Sequence, residues 1–344
     1  MKFSLKKTAW ALAAAGLILL PWQAKACTLF AAHGSAVEGG GAIIVKNRDE
    51  HPMYQEMRYH QGHVYRYYGI YGGNEDHMSL TGGVNEAGFA VFSAVAEPIP
   101  KDVRLAYGKR GTLAALLGNC SSVKEALEMK DYFKSPGFFL MAYAHEIAYV
   151  EIGEDGIWDV KTEENGTLAH TNHFLLPDLT QFNHKIGRSS STRLHRIDEL
   201  LSEPHAPYTL DDMIAFSEDE HDGPNDSIWR TGSRKDGVQT LATIGVWLHD
   251  GAEDDEGRRF VDVFCVPREF LCAFVGDAVL QVFVKNGNVA DGLGVFPAGC
   301  HLRGFHDIFD FLLRERFSGV FADASSGNQT TNSFHLFLLI SEKI

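Results

Sequence analysis

Apolar and polar residues alternate along most of this chain, and the period of each stretch predicts its element. From Gly137 to Val160, FFLMAYAHEIAYVEI followed by GIWDV changes character at every second position. This predicts a three-stranded meander broken at Glu154-Asp155-Gly156. Met78 to Ala96 predicts two strands around an Asn85-Glu86-Ala87-Gly88 turn, where Gly88 can take a positive φ. Thr28–Ala32 and Ala42–Lys46 predict a hairpin across the glycine-rich turn Gly34–Gly41, with Asn47-Arg48-Asp49-Glu50 ending its second strand. Gln239–Trp247 is a further strand, and Phe260–Val266 is its expected partner. Helical spacing is sparser. Lys109–Leu117 is apolar on one side, and a serine cap at Ser121-Ser122 with Glu125 opens a helix running to about Lys130. Ser190–Leu201 places Leu194, Ile197, Leu200 and Leu201 on one face, and Leu210–Ser217 is a further short helix. Antiparallel strand runs interrupted by pairs of helices indicate an α+β fold.

The first 26 residues follow a different logic. Lys2, Lys6 and Lys7 precede a 13-residue apolar run, Thr8–Leu20. Pro21 breaks it, and Ala24-Lys25-Ala26 supplies small residues at −3 and −1 of a cut. This is the order of a secretory signal, with signal peptidase as the maturation partner and a periplasmic or secreted destination. The competing reading is a short buried helix in a cytosolic protein. No other stretch approaches 18 apolar residues, so stable membrane insertion is not expected. With 45 acidic against 31 basic residues, the net charge of −14 lacks the basic footprint of a nucleic-acid-binding protein.

A cut after Ala26 makes Cys27 the first residue. It then carries a thiol and a free α-amine together. An amine of this kind has a pKa of about 7.7–8.0, so it can serve as general base to its own thiol. Two other uses of Cys27 stay open on the cut alone. One is half of a disulfide. The other is a lipid anchor, although Ala24 and Lys25 fit a lipoprotein signal poorly. The predicted hairpin brings Lys46 to Asp49 back toward this residue, where a carboxylate can orient an amine and a cation can steady negative charge.

Cys27-Thr28 at a processed terminus, a glycine-rich turn and Lys46-Asn47-Arg48-Asp49 resemble the N-terminal nucleophile (Ntn) hydrolases acting on linear amides. Within them the chain is most similar to peptidase family C45, the acyl-CoA:6-aminopenicillanic acid acyltransferase group. Penicillin V acylases and bile-salt (choloylglycine) hydrolases belong to the same superfamily. Downstream, Asn85-Glu86-Ala87-Gly88-Phe89, Thr171-Asn172-His173, Ser189–Arg193 and Ser227-Ile228-Trp229-Arg230 follow in the family's order. The resemblance covers roughly residues 27 to 250.

That resemblance implies a four-layer αββα sandwich, no cofactor and a small-molecule amide as substrate, with a homo-oligomer possible. It implies Cys27 as nucleophile, Asp49 orienting the amine, and backbone N–H groups around Ala94 and Val95 plus the Asn172 amide facing an oxyanion. The catalytic arginine is assigned to Arg193, with Arg230 second. Arg193 is expected in the first turn of its helix, where the helix dipole disfavours a cation and so hints at another duty. Lys46 stands where bile-salt hydrolases and penicillin V acylases carry arginine; Arg48 can compensate, and Arg48 and His173 are taken as substrate-binding. The function expected is hydrolysis or acyl transfer at a linear amide through a thioester. The alternatives are a C69-type dipeptidase with the same nucleophile, or a non-enzymatic exported binding protein or lipoprotein. His170-x-x-His173 lacks further ligands nearby, so no metal is expected. Cys120, Cys265, Cys272 and Cys300 allow two disulfides or partial pairing. Residues 27–269 form the catalytic domain. Residues 270–344 carry no family motif and are either a C-terminal extension packed on the core or a translated frame error; 13 of the 23 phenylalanines lie after residue 259.

Overall fold

The structure is a computed structural model of the chain. It describes residues 26–267, apart from 75, 109–110, 203–205 and 254–258, together with the short pieces Val279–Leu280 and Phe337–Leu339. The expected leader up to residue 25 and nearly all of the 270–344 extension lie outside the described residues.

Two antiparallel sheets carry the fold. The first contains β1 (Ala26–His33), β2 (Ala42–Glu50), β10 (Gly166–His170), β11 (Gln239–Glu253) and β12 (Arg259–Pro267), in the order β10-β1-β2-β11-β12, and the two short described pieces continue beyond β12. The second pairs its strands in chain order: β3 (Tyr54–Gln61), β4 (Arg66–Asn74), β5 (His77–Asn85), β6 (Ala90–Ala94), β7 (Gly137–Tyr143), β8 (Glu146–Ile152) and β9 (Trp158–Glu163), with helices between β6 and β7 packed on its outer face. The predicted turn at Asn85–Gly88 joins β5 to β6, and Gly88 has φ +76°. Asn85 fixes that turn from inside: its Oδ1 accepts from the Ala87 and Phe89 amides, and its Nδ2 donates to the Leu117 and Cys120 carbonyls.

Period-2 alternation divides each sheet into two faces. Cys27, Leu29, Ala31, Ala42 and Ile44 of the first sheet meet Ile70, Phe92, Phe138 and Leu140 of the second in one core between the sheets. The opposite face of the first sheet, with Phe30, Ile43 and Val45, packs against α4 (Arg188–Ser202) and α5 (Leu210–Ser217) through Ile197, Met213 and Ile214. The outer face of the second sheet, with Phe89, Val91 and Met141, packs against α2 (Thr112–Asn119) and α3 (Val123–Glu128). The layers are therefore helix, sheet, sheet, helix, the αββα architecture of the Ntn hydrolases. Each fully buried phenylalanine here contributes about 1.5–3 kcal/mol.

Several boundaries differ from the sequence expectation. Residues 51–77 gave no strand signal, yet they form β3, β4 and the start of β5. A short exposed helix, α1 (Lys101–Ala106), was also not expected. α4 begins two residues earlier than its apolar stripe, so Arg193 lies in its second turn and the dipole argument for that residue falls. β2 does not end at Lys46 but runs through Glu50, paired with β1 and β11 throughout. Cys120 is a free thiol 3.2 Å from Met129 Sδ, so it enters no disulfide; the side chains of the other three late cysteines lie outside the described residues.

Candidate active site

The continuation of β2 determines how the site is built. Because side chains alternate, Lys46 and Arg48 point between the sheets, while Asn47 and Asp49 point toward the α4–α5 layer. Cys27 pairs with Arg48 across the ladder, so its thiol shares the inter-sheet face with the two cations, and Ala26 pairs with Asp49. Cys27 is 8% exposed.

Asn172 and Arg193 hold the Cys27 backbone. Asn172 Oδ1 accepts from Cys27 N at 2.9 Å and from Arg193 Nη2 at 2.9 Å. Its Nδ2 donates to the Val95 carbonyl at 3.0 Å. With two donors facing one end and a carbonyl the other, only this amide orientation satisfies the contacts. Arg193 Nη1 donates to Cys27 O at 2.6 Å and to Thr28 Oγ1 at 2.8 Å, and Nε donates to Ser189 Oγ at 3.2 Å. The sequence reading gave Asn172 to the oxyanion. The structure gives its oxygen to the Cys27 nitrogen, and one Nδ2 hydrogen is left over. Val95 contributes its carbonyl to Asn172, and Ala94, its buried neighbour, closes β6 against Phe138.

Charge is concentrated around this point. Lys46 is fully buried; its Nζ donates to the Thr81 and Ser93 carbonyls at 2.8 Å each. Burial pulls its pKa down to about 8, against the opposing pull of Cys27. On the other face, Asp49 Oδ1 accepts from Thr240 Oγ1 at 2.8 Å, and Oδ2 lies 3.9 Å from Arg230 Nη1 without a hydrogen-bond partner. Burial raises the Asp49 pKa, and Arg193 and Arg230 counter it. The two candidate arginines thus have separate places. Arg193 grips Cys27 and Asn172, and Arg230 stands beside Asp49.

The predicted site residues therefore converge, with one displacement. His173 is 8% exposed, its Nδ1 lies 2.8 Å from Ser190 Oγ, and burial holds its pKa down at about 4. It belongs to the packing behind Asn172, not to a substrate surface. Its neighbour His170 is bonded to the buried Glu151 at 2.8 Å. Among the described residues no group of three or more His, Cys, Asp or Glu is arranged to hold a metal.

Sequence reading missed Thr240, Ser190 and Glu97. Thr240 Oγ1 bonds Asp49 and also accepts from Arg230 N at 2.8 Å. Ser190 Oγ accepts from the Asn172 amide at 2.9 Å, which fixes the loop that presents Asn172. Glu97 is half-buried, its amide donates to Asn172 O, and burial raises its pKa against the pull of Arg193 and Arg230. Thr240 and Glu97 sit in no motif; Thr240 is brought in by the pairing of β11 with β2, and Glu97 by its backbone contact with Asn172. Ser190 lies within the Ser189–Arg193 motif, but its contact with Asn172 carried no local signal.

The profile of the family described as acyl-coenzyme A:6-aminopenicillanic acid acyl-transferase matches residues 37–252, beginning downstream of Cys27. No curated protein matches the chain. Among solved structures, a mutant conjugated bile acid hydrolase from Clostridium perfringens is similar at 12% identity and TM-score 0.44, covering 70% of this chain and 92% of its own. A second variant of that hydrolase gives 15% identity, TM-score 0.43, and coverage of 71% and 90%. The Caenorhabditis elegans ortholog of N-acylethanolamine-hydrolyzing acid amidase gives 14% identity, TM-score 0.41, and coverage of 64% and 92%. The profile spans more than half of the chain, and the chain accordingly belongs to the acyl-coenzyme A:6-aminopenicillanic acid acyl-transferase family.

Proposed function

We propose that this is an exported amidohydrolase or acyltransferase whose mature chain begins at Cys27. The observation that carries the reading is the double hold on that residue, with Asn172 Oδ1 on its nitrogen and Arg193 on its carbonyl. A backbone restrained at both ends of one cysteine, with its thiol turned into the cleft between the sheets, suits a residue that is both nucleophile and base.

In this mechanism the Cys27 α-amine takes the thiol proton and Sγ attacks the amide carbonyl. The resulting oxyanion is met by N–H groups around Ala94 and Val95 and by the spare Nδ2 hydrogen of Asn172. A well-placed donor of this kind contributes about 3–4 kcal/mol. The α-ammonium then protonates the leaving nitrogen, the C–N bond breaks, and a thioester remains on Cys27. The amine next deprotonates a water, or accepts the proton of an incoming amine, and the thiolate leaves. Removing Ala26, the ladder partner of Asp49, leaves room beside that carboxylate for the new ammonium. Lys46 holds positive charge on the thiol side, and Arg193 and Arg230 fix the two carbonyl and carboxylate groups around it. The acyl group and the leaving amine are drawn from N-acyl amides, penicillin V and bile-salt-like conjugates.

The test is an intact mass of the natural protein together with turnover of a linear-amide panel by the correctly cut enzyme. The expected mass is that of a chain starting at Cys27 with no added group, and Cys27→Ser should lose at least ~100-fold in kcat while folding normally. A different first residue, an acylated Cys27, or full activity in the serine variant would refute the proposal.

A further inference from the structure

The cleft face of β2 carries a cation that the amide chemistry does not use. Arg48 is 4% exposed and stands directly across the ladder from Cys27. Its Nη1 donates to Gln55 Oε1 at 3.0 Å, and its Nη2 meets only the thioether of Met53 at 3.1 Å. Nε is buried and has no partner. Among the described residues Arg48 therefore forms no ion pair, and neither Nε nor Nη2 donates to an oxygen. A guanidinium buried in this state is costly, because no carboxylate hydrogen-bonded to it offsets the desolvation. Burial lowers its pKa, while Cys27, Glu50 and Asp49 pull the other way.

The surroundings are shaped to keep it there. Gln55 lies on β3 opposite Gly72 of β4, and its Nε2 is tied back to the Leu241 carbonyl at 2.7 Å, so the side chain that holds Nη1 is itself fixed. A Cβ at Gly72 would come within 1.9 Å of Nη2. Only glycine leaves the second sheet low enough for the guanidinium to lie across it. Arg48 thus spans the gap from β2, beside the strand that carries Cys27, to the opposite sheet, at the same end as the thiol, with no oxygen acceptor for Nε or Nη2. A side-on guanidinium edge matches the two oxygens of a carboxylate in plane.

We infer that Arg48 is a specificity-determining residue that binds a carboxylate carried by the substrate close to the scissile amide. This rests on the proposed amide chemistry at Cys27 and goes further by naming the group recognised. The carboxylate can belong to the leaving amine, as in an N-acyl amino acid, or to the acyl half, as in the monoamide of a dicarboxylic acid.

The experiment compares matched pairs on the mature chain: an N-acylglycine against the N-acylethanolamine of the same acyl chain, and glutaryl against valeryl p-nitroanilide. Wild type should prefer the carboxylate member of at least one pair by roughly 10- to 100-fold in kcat/KM, expressed chiefly in KM. The responding pair identifies which half carries the charge. In Arg48→Gln the ratio within that pair should fall to about one. Gly72→Ala, which keeps the charge but displaces the fork, and Arg48→Lys, which keeps the charge without the fork, should lower the ratio in the same way and serve if Arg48→Gln does not fold. Equal turnover within both pairs, or a ratio unchanged in the variants, overturns the inference and leaves the amidohydrolase reading standing. No turnover of any of the four, with no acylation of Cys27, overturns both.

Discussion

Replacing Arg193 by lysine tests the centre of the site most directly. Arg193 is fully buried, and three of its hydrogen bonds, to Cys27 O, Thr28 Oγ1 and Asn172 Oδ1, lie between 2.6 and 2.9 Å. Each bond from a charged donor contributes about 1.5–3 kcal/mol, so the three together give roughly 5–9 kcal/mol in gross. Burying a guanidinium costs several kcal/mol of this back. Lysine keeps the charge but loses the planar fork, and a single ammonium cannot reach the Cys27 carbonyl and the Asn172 oxygen with the same geometry. We expect Arg193→Lys to lose about 3 kcal/mol of stability, since acceptors at a buried strand end go unpaired. The backbone of Cys27 then shifts relative to Asn172, and a displacement near 1 Å costs about 100-fold in rate. The assay pairs urea unfolding with pre-steady-state titration of the Cys27 thiol. The expected pattern is a thiol that still acylates stoichiometrically, a kcat reduced about 100-fold, and a KM changed by less than about threefold. A stable Arg193→Lys enzyme with wild-type kcat would refute the argument that the fork, and not the charge, sets the nucleophile's position.

Three further outcomes follow from the same geometry. The Lys46 pKa is lowered to about 8 from 10.5, so between those values the unfolded chain binds the extra proton. The burial penalty, of order 3 kcal/mol, is therefore full below pH 8 and is relieved as pH rises, so wild type should gain stability relative to Lys46→Met from pH 7.5 to 10, and a constant difference would contradict this. Thr240→Val strips Asp49 Oδ1 of its hydroxyl donor and should raise the already elevated carboxyl pKa further, moving the acid limb of kcat/KM to higher pH; Thr240→Ser should restore it. Glu151, with no exposure, accepts from the Leu175 and Leu176 amides and from His170, so Glu151→Ala should cost about 3–5 kcal/mol in urea unfolding with kcat per folded molecule nearly unchanged.

How much of this was legible in the sequence depended on whether the signal was local. The β7–β9 meander and α5 emerged where the sequence pattern placed them, because each has a clean apolar face, and the Thr209 capping box seen in the structure closes the start of α5. The residues 51–77 did not, since β3 is an edge strand with only Gln55 and Met57 buried, and its tyrosines and charges read as loop. Cys27, Asp49, Asn172 and Arg193 stood out through motif spacing and a shared order. Their division of labour did not, because it is set by contacts across 145 and 166 positions of chain, between Cys27 and Asn172 or Arg193. Thr240 reaches Asp49 from 191 positions away, and no local pattern marks a threonine for that task.

The single largest error of local reading also explains the site best. Ending β2 at Lys46 would place Lys46, Arg48 and Asp49 together in one solvated loop, with their charges largely neutralising one another. Extending the strand through Glu50 applies the two-residue alternation to them instead. Asp49 is carried to the helix layer, where Thr240 and Arg230 receive it, while Lys46 and Arg48 are carried to the inter-sheet face, where among the described residues no carboxylate is hydrogen-bonded to either. A strand thus performs a separation that a loop cannot, with the Asp49 carboxylate on one side of the sheet and two cations on the thiol's side. The neighbours are matched to that split: Ser93 and Thr81 carbonyls meet the lysine, Gly72 clears the guanidinium, and Ser217 and Ile228 carbonyls take Asn47 on the far face. Slipping the β1–β2 register by one residue would exchange the faces of all four side chains at once, leaving Asp49 against the thiol and both cations among the helices. The Asn47 and Lys46 anchors, one on each face, are what hold the register at the point where Cys27 sits.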